Sequence, residues 1–383
     1  MSTSPPPPAA EWTGGSVVRI GALAPLSRPG WVDAGRHLLA GLELAVRDAN
    51  AHAGGILGRP LELVVRDTAA DPQRAAAAVE ELARLGVVAV AGEYHSVAAR
   101  AAAVTADALG VPFLCSSAVL DVLTDHSTQW VARLAPAQSH GWQVYADFLL
   151  SAGHRRVAVT AEPSVYWAAG TRILRSCLRA RGGTLIELDM GALTPAALCD
   201  QLAGSGATAV LLLVGYPEPA VSIVKSVRHD ERLADVMIGA PAGQPEFPKW
   251  AALLGHDGAA IPFLRYRPER LSPRGARVEA ALRERLAEAP SFVALEGYDT
   301  VTILAEVLSS HGADRARLAG SWPSVAIEGT RGQLWFSRKP GIGVWQSAST
   351  PVQGGDREPP EPGRVRVRHV SEEEHVSPRR TVG

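Results

Sequence analysis

Short apolar runs alternate with longer stretches in which Ala, Leu and Val recur at helical spacing, from residue 17 to about residue 240. The alternation is densest at Val87–Thr124, VVAVAGEYHSVAARAAAVTADALGVPFLCSSAVLDVLT. It predicts a strand at 87–91, a polar loop at Gly92–Ser96, an Ala-rich helix at 97–109, a strand at 111–115, a small-residue loop at Ser116–Val119 and a helix from Asp121. Two strand-to-helix turns this close in sequence fall side by side at the carboxyl edge of a parallel sheet, where open α/β folds place ligands.

The same grammar runs on either side. Strands are expected at 17–26, 61–67 and 129–134, with a helix at 36–51 closed by the Gly pair after Ala53, and another opened by Asp71 as N-cap with Pro72 at its first position. After residue 136 a second set begins: helix 139–152, strand 157–160, helix 168–181, strand 184–188, helix 195–203, strand 209–214, helix 218–228 and strand 236–238. The fold class is therefore α/β, with two doubly wound parallel-sheet lobes. Ala259–Pro268 breaks the alternation, and helices at 273–287, 292–309 and 313–321 are expected to dock back on the first lobe. Late strands are expected at 333–337 and 344–348, and an edge strand at 364–369. This gives lobe 1 as 17–135 plus 265–341 and lobe 2 as 136–264 plus 342–370, with 1–16 and 371–383 as solvated, disordered ends.

Charge and composition narrow the function. A formal net charge of -1 with no long basic run gives no support for nucleic-acid binding. Cys115, Cys177 and Cys199 fit neither a metal spacing nor an even disulfide framework and read as buried thiols. No apolar run reaches the roughly 20 residues that span a bilayer, so direct membrane insertion is not expected. The first residues lack a basic segment followed by an apolar one, so the chain as written reads as cytoplasmic, and as extracytoplasmic where a true start or signal lies upstream.

Catalytic signatures are missing: there is no GxSxG, HExxH or P-loop, and no GxGxxG after the first strand. The expectation is a protein that is not an enzyme and uses no cofactor or metal. Binding features are better supplied. Ser96 stands where a loop enters a helix; it either caps that helix or presents its hydroxyl, with the free N–H groups, to an oxygen-bearing ligand. Trp31, Tyr94, His95, Tyr166, Trp167 and Tyr216 all follow predicted strands and form a candidate ligand wall. Tyr298 and Asp299, on a helix, read as core with a satisfied carboxylate.

Three stretches then carry a resemblance over about 17–370: IGALAPLS at 20–27, GLELAVRDANAHAGGILGRPLELVVRDTAADPQRAAAAVEEL from 41 and GYDTVTILAEVL from 297. The chain resembles a type I periplasmic (solute) binding protein of the leucine/isoleucine/valine-binding class. GEYHS at 92–96 and VWQSASTPVQ at 344–353 are closer to the amide- and urea-binding branch. The resemblance implies a ligand clamped between lobes joined by three crossovers, at about 133–140, 259–268 and 339–344. It implies that Ser96 holds the ligand's carboxylate or carbonyl, that Ser117, Ala118 and Val119 form the second loop of the site, and that Tyr166 and Tyr216 supply aromatic contacts.

Two positions depart from that pattern. Val119 stands where amino-acid binders usually carry a Thr, and IGAPAG at 238–243 puts Pro241 or a neighbour where they carry the acid that pairs with the α-ammonium. A buried ammonium without a partner costs several kcal/mol, so ordinary α-amino acids fit only where Glu93, Asp121, Glu218 or Glu246 supplies that charge. The function implied is the substrate-binding component of an ABC-type uptake system, with an amide, urea, amino acid or aromatic acid as ligand and a membrane permease as partner. The alternative is a cytoplasmic amide-sensor-like regulator with a protein partner.

Overall fold

A computed structural model describes residues 17–53, 55–124, 128–189, 194–268, 270–337 and 345–347. The chain divides into two units. The first takes the described residues up to Trp142, Pro163–Ile173 and those from Arg267 onward; the second takes Gln143–Glu162 and Leu174–Tyr266.

In chain order the first stretch gives β1 (Val18–Ala24), α1 (Val32–Ala53), β2 (Leu61–Asp67), α2 (Pro72–Arg84), β3 (Ala89–Gly92), α3 (Ser96–Leu109), β4 (Phe113–Cys115), β5 (Val131–Arg133) and α4 (Gln138–Ser151). The second gives β6 (Arg156–Ala161), α5 (Val165–Arg179), β7 (Thr184–Leu188), α6 (Pro195–Ser205), β8 (Ala209–Leu213), α7 (Ala220–Arg228), β9 (Met237–Gly239) and α8 (Lys249–Leu254). The last gives α9 (Pro273–Leu286), α10 (Phe292–His311), α11 (Arg315–Gly320), β10 (Ala326–Gly329), β11 (Gly332–Ser337) and β12 (Trp345–Ser347).

The sheet of the first unit has the order β10-β11-β12-β5-β4-β3-β1-β2, parallel from β12 to β2 and antiparallel at the β10–β11 and β11–β12 pairs. Against one face, α2 and α3 bury Leu82, Val79, Ala99 and Ala102 on Leu23, Val90, Phe113 and Val131. Full burial of a Leu, Val or Phe is worth roughly 1.5–3 kcal/mol, so this cluster holds α2 and α3 on the sheet. Asp71 caps α2 as expected, accepting from Arg74 N at 2.7 Å with Pro72 at the first position.

α1 packs along α10, and the contact is backbone on backbone. A Cβ at Gly41 would lie 2.0 Å from the Ala294 carbonyl oxygen, so only Gly fits. This close approach holds α10 rigidly beside β3, which it also touches. The second unit is a four-stranded parallel sheet, β7-β6-β8-β9, whose central strand β8 is buried at every residue.

Several expectations are corrected. Asp121 opens a single 3-10 turn, Asp121–Thr124, rather than a helix. Its carboxylate accepts from the Ser139 N–H at 3.0 Å and from the Ser139 hydroxyl, so it serves the start of α4 instead of a helix of its own. Helix α5 begins at Val165, three residues earlier than the pattern suggests, which puts Tyr166 and Trp167 in its first turn rather than in a loop. Residues 345–347, expected with the second lobe, pair with β5 in the first sheet; a three-residue pattern carries no sign of which sheet edge it joins. Residues 163–173 group with the first unit, and the division near 135 lies instead after Trp142, within α4. Strand β10 was not expected. The disordered ends 1–16 and 371–383, the edge strand at 364–369 and the crossover at 339–344 lie outside the described residues.

Candidate ligand-binding site

The two loops expected to lie side by side do so. Ser116 N donates to Gly92 O at 3.0 Å and Ser117 N to Glu93 O at 3.3 Å, which continues the β3–β4 pairing past the strand ends. Glu93 folds back on the loop that leads into α3, whose N-cap residue His95 makes no side-chain cap bond. Its Oε1 accepts from the Tyr94 and His95 N–H groups, each at 2.8 Å, and its Oε2 accepts from the Thr68 hydroxyl at 2.5 Å. Burial pushes the Glu93 carboxyl up to about 7, against the pull of the His95 N–H, the Thr68 hydroxyl and the Tyr94 N–H.

Ser96 stands one residue inside α3, past the N-cap position, and does not cap the helix. It is the first residue of α3, 7% exposed, and its Oγ accepts from the N–H groups of Val119 and Leu120, each at 3.3 Å. The Val119 N–H is thus held by Ser96. A hydroxyl oxygen that accepts twice still has its proton to donate, and Ser96 donates to no acceptor among the described residues. Under the same loop the fully buried Arg133 donates to the carbonyls of Ala118, Leu120, Ala135 and Pro136 at 3.0–3.3 Å. A cation so placed fixes the loop and makes the ground beneath it electropositive.

Aromatic rings line the first unit beside these loops. Trp31 meets Tyr94 edge-on at 5.7 Å between centroids; Trp142 meets Tyr166 at 5.9 Å, and Tyr166 meets Trp167 at 4.6 Å. Burial holds both tyrosine hydroxyls well above their ordinary range, and for Tyr94 the neighbouring Tyr166 and Glu296 add to it. Trp142, which the sequence did not single out, is fully buried because Gly170 leaves room: a Cβ there would lie 1.7 Å from the indole ring. Gln138 Nε2 donates to Tyr166 O at 3.2 Å, tying α4 to the first turn of α5.

Around this wall stand buried polar atoms with no hydrogen-bond partner among the described residues: His95 Nδ1, Gln138 Oε1, Trp142 Nε1 and Glu296 Oε2. Burial keeps the His95 imidazole low, hence neutral near pH 7. Glu296 is the second residue the sequence did not reveal. Its Oε1 accepts from Arg331 Nη1 at 3.0 Å, while Arg331 Nε lies 3.4 Å from Asp299 Oδ2. Burial drives the Glu296 carboxyl up to about 7, opposed by Arg331 and the Ser117 hydroxyl and reinforced by Asp299. The available signal was a pair of acids inside the apolar run FVALEGYDTVTIL. Asp299 also accepts from Thr330 N and Oγ1, the satisfied carboxylate that was expected.

The other candidates belong to the second unit. Tyr216 belongs to the second unit and packs there on Phe247 at 6.1 Å and Trp250 at 5.8 Å, and Pro241 follows β9. The four acids that could replace the missing countercharge are all engaged. Besides Glu93 and Asp121, Glu218 accepts from Ser222 N at 3.3 Å, and Glu246 accepts from Tyr266 N at 2.9 Å beside Arg265. Among the described residues no group of three or more His, Cys, Asp or Glu is placed to hold a metal ion.

Comparison with known proteins adds the family. The model of a family described as periplasmic binding protein matches residues 17–353. The Leu/Ile/Val-binding protein homolog 7 of Brucella abortus (strain 2308) is 24% identical over 346 residues, covering 84% of each chain. Among solved structures, an ABC transporter substrate-binding protein from Desulfitobacterium hafniense in complex with Leu superposes with a TM-score of 0.73 at 23% identity, over 89% of this chain and 98% of that one. A solute-binding protein of an R. palustris ABC transporter in complex with benzoate gives 0.72 at 18% identity, over 88% and 97%.

Proposed function

We propose that this chain, which belongs to the periplasmic binding protein family, is the substrate-binding component of an ABC-type uptake system and takes a small ligand with a carboxylate or carbonyl end and an apolar or aromatic body. The observation that carries the reading is the group of partnerless buried atoms, His95 Nδ1, Gln138 Oε1, Trp142 Nε1 and Glu296 Oε2, on residues that surround or touch the aromatic wall. Buried polar groups without partners are rare and cost about 1–3 kcal/mol each, and a ligand with polar ends offsets that cost. In this reading the Ser96 proton and the Ser117 hydroxyl meet the ligand's oxygen end, and Trp31, Tyr94 and Tyr166 flank its body. The first helical turn of α3 and the buried Arg133 favour negative charge there.

Leucine and benzoate, the ligands of two similar structures, share a carboxylate on an apolar body. The four acids offered for an α-ammonium already have partners, which leaves Glu296, with one oxygen open, to meet such a group where the ligand carries one. The ligand is bound and released unchanged, outside the cytoplasm, and handed to a separate permease. No helix among the described residues is long and apolar enough to cross a membrane. Transport is favoured over the regulator because the related proteins are named for transport and binding.

The test is a thermal-shift panel of aromatic acids, aliphatic acids, amides, ureas and amino acids. A ligand at about 100 times its Kd stabilises by roughly 2.7 kcal/mol, so a true ligand stands out. Stabilisation by benzoate-like or branched aliphatic acids supports the reading; a panel with no shift in any class contradicts it.

A further inference from the structure

The oxygen end of this site is bordered by two buried carboxyls. Glu93 lies beneath the loop that carries Ser96, three residues away, and is fully buried. Glu296, also fully buried, is in reach of the Ser117 hydroxyl and keeps one oxygen without a partner. An incoming carboxylate would be a third negative charge in this space. Two like charges a few ångströms apart repel by about 1 kcal/mol in water and several-fold more at the effective dielectric of a protein.

The charged surroundings of Glu296 decide how that repulsion is met. From the β10–β11 turn comes Arg331, which it shares with Asp299 of its own helix, so two carboxylates stand against one guanidinium. The loop after β3 contributes Tyr94 and the loop after β4 contributes Ser117. α1 meets this part of α10 through Leu38 and the Gly41 backbone, and its His37 accepts from Ser291 N one turn earlier. The titratable and charged groups around Glu93 are Asp67 nearby, the neutral His95 that follows it, and Cys115, which itself interacts with Arg133. Arg331 is divided between two acids and Arg133, under the second loop, is committed to four backbone carbonyls, whereas Glu296 keeps an oxygen without a partner among the described residues, so a proton is the neutraliser nearest to hand.

Resting on the function proposed above, we propose that Glu296, acting through Ser117, selects ligands by charge: a neutral carbonyl enters as it is, whereas a carboxylate enters together with one proton taken up by the buried acids. Burial already places the Glu296 carboxyl at about 7, so the linkage falls in a physiological range. Glu296 is a specificity-determining neighbour of the ligand end, and its role separates two ligands of the same shape. The linkage is reciprocal, so ligand raises the proton affinity of the acids by the factor by which protons raise ligand affinity.

The experiment is calorimetric titration of the full chain with benzoate and with benzamide at pH 6, 7 and 8, each in two buffers of different ionisation enthalpy. Buffer dependence counts the protons taken up. Benzoate is expected to bind with uptake approaching one proton, its Kd rising toward tenfold per unit above about pH 7, while benzamide binds with no uptake and a flat Kd. Glu296→Gln is expected to flatten the benzoate profile and to bind benzoate more tightly than the wild type at pH 8. The wild-type buffer series stands by itself if that variant misfolds. A benzoate Kd that is flat from pH 6 to 8 with no proton uptake overturns the linkage and leaves the proposed function intact. No binding by either probe or by any thermal-shift panel member overturns the function, and the linkage with it.

Discussion

Ser96 Oγ accepts hydrogen bonds from the N–H groups of Val119 and Leu120, each at 3.3 Å, so the first residue of α3 stitches the loop after β3 to the loop after β4. Ser96 is available for it because the N-cap position falls on His95, one residue earlier. Its consequence is a serine whose hydroxyl oxygen is fixed by the protein and whose proton remains to be given away. Ser96 is held before the ligand arrives, which reduces the ordering cost of binding.

The buried carboxyl of the same loop, Glu93, has a pH signature of its own. Glu93 stands near 4.5 in an unfolded chain and is raised to about 7 in the folded one. The folded state therefore holds more protons between those values, and stability falls as pH rises through that window, by about 3 kcal/mol at most from this group. Thermal melts from pH 5 to 8 should show this decline, with a shallower slope in Glu93→Gln; identical slopes in the two proteins would refute it.

Trp142 reaches its place only because residue 170 has no side chain. A Cβ there would lie 1.7 Å from the indole, and Tyr166 and Trp167 already occupy neighbouring space. Gly170→Ala should cost about 1–3 kcal/mol by overpacking and displace Trp142. Urea unfolding and the near-UV circular dichroism of the tryptophans check this, and an unchanged spectrum with unchanged stability would count against the packing described.

Arg331 is the guanidinium shared by Glu296 and Asp299, all three buried. Arg331→Met should cost about 3–5 kcal/mol at neutral pH, because both acids lose their partner in a low-dielectric interior. Burial already raises both acids, so acidification toward pH 5 protonates them and should restore part of the loss. Denaturant midpoints at pH 5 and 7.5 test this; an equal loss at both values would mean the arginine acts by packing alone.

The alternation of apolar strand and helix revealed the two sheets, and the paired loops at Gly92–Ser96 and Ser116–Val119 were legible from two strand-to-helix turns close in sequence. Tyr94, Trp31 and Tyr166 were legible as aromatics following strands. Glu93 as the acceptor for the Tyr94 and His95 N–H groups was hidden, since only the backbone path of the loop turns its carboxylate back on them. Glu296 and Arg331 are 35 residues apart, and a pairing across such a separation leaves no local pattern. Trp142 depended on a glycine 28 positions away in another helix, again a matter of packing rather than periodicity. The three-residue β12 joined the first sheet through backbone ladder bonds that any side chains could make.

The most direct measurement is calorimetric titration of the best ligand from the panel into wild type and Ser96→Ala at one pH. The Ser96 proton is placed to donate to the ligand's oxygen end, and its loss should weaken binding by about 1–3 kcal/mol, roughly 5- to 150-fold. The stability of the variant, measured in the same samples, accounts for the Val119 and Leu120 N–H groups left without an acceptor. A folded Ser96→Ala protein that binds the same ligand with wild-type affinity would contradict the placement of the ligand's oxygen end at the start of α3.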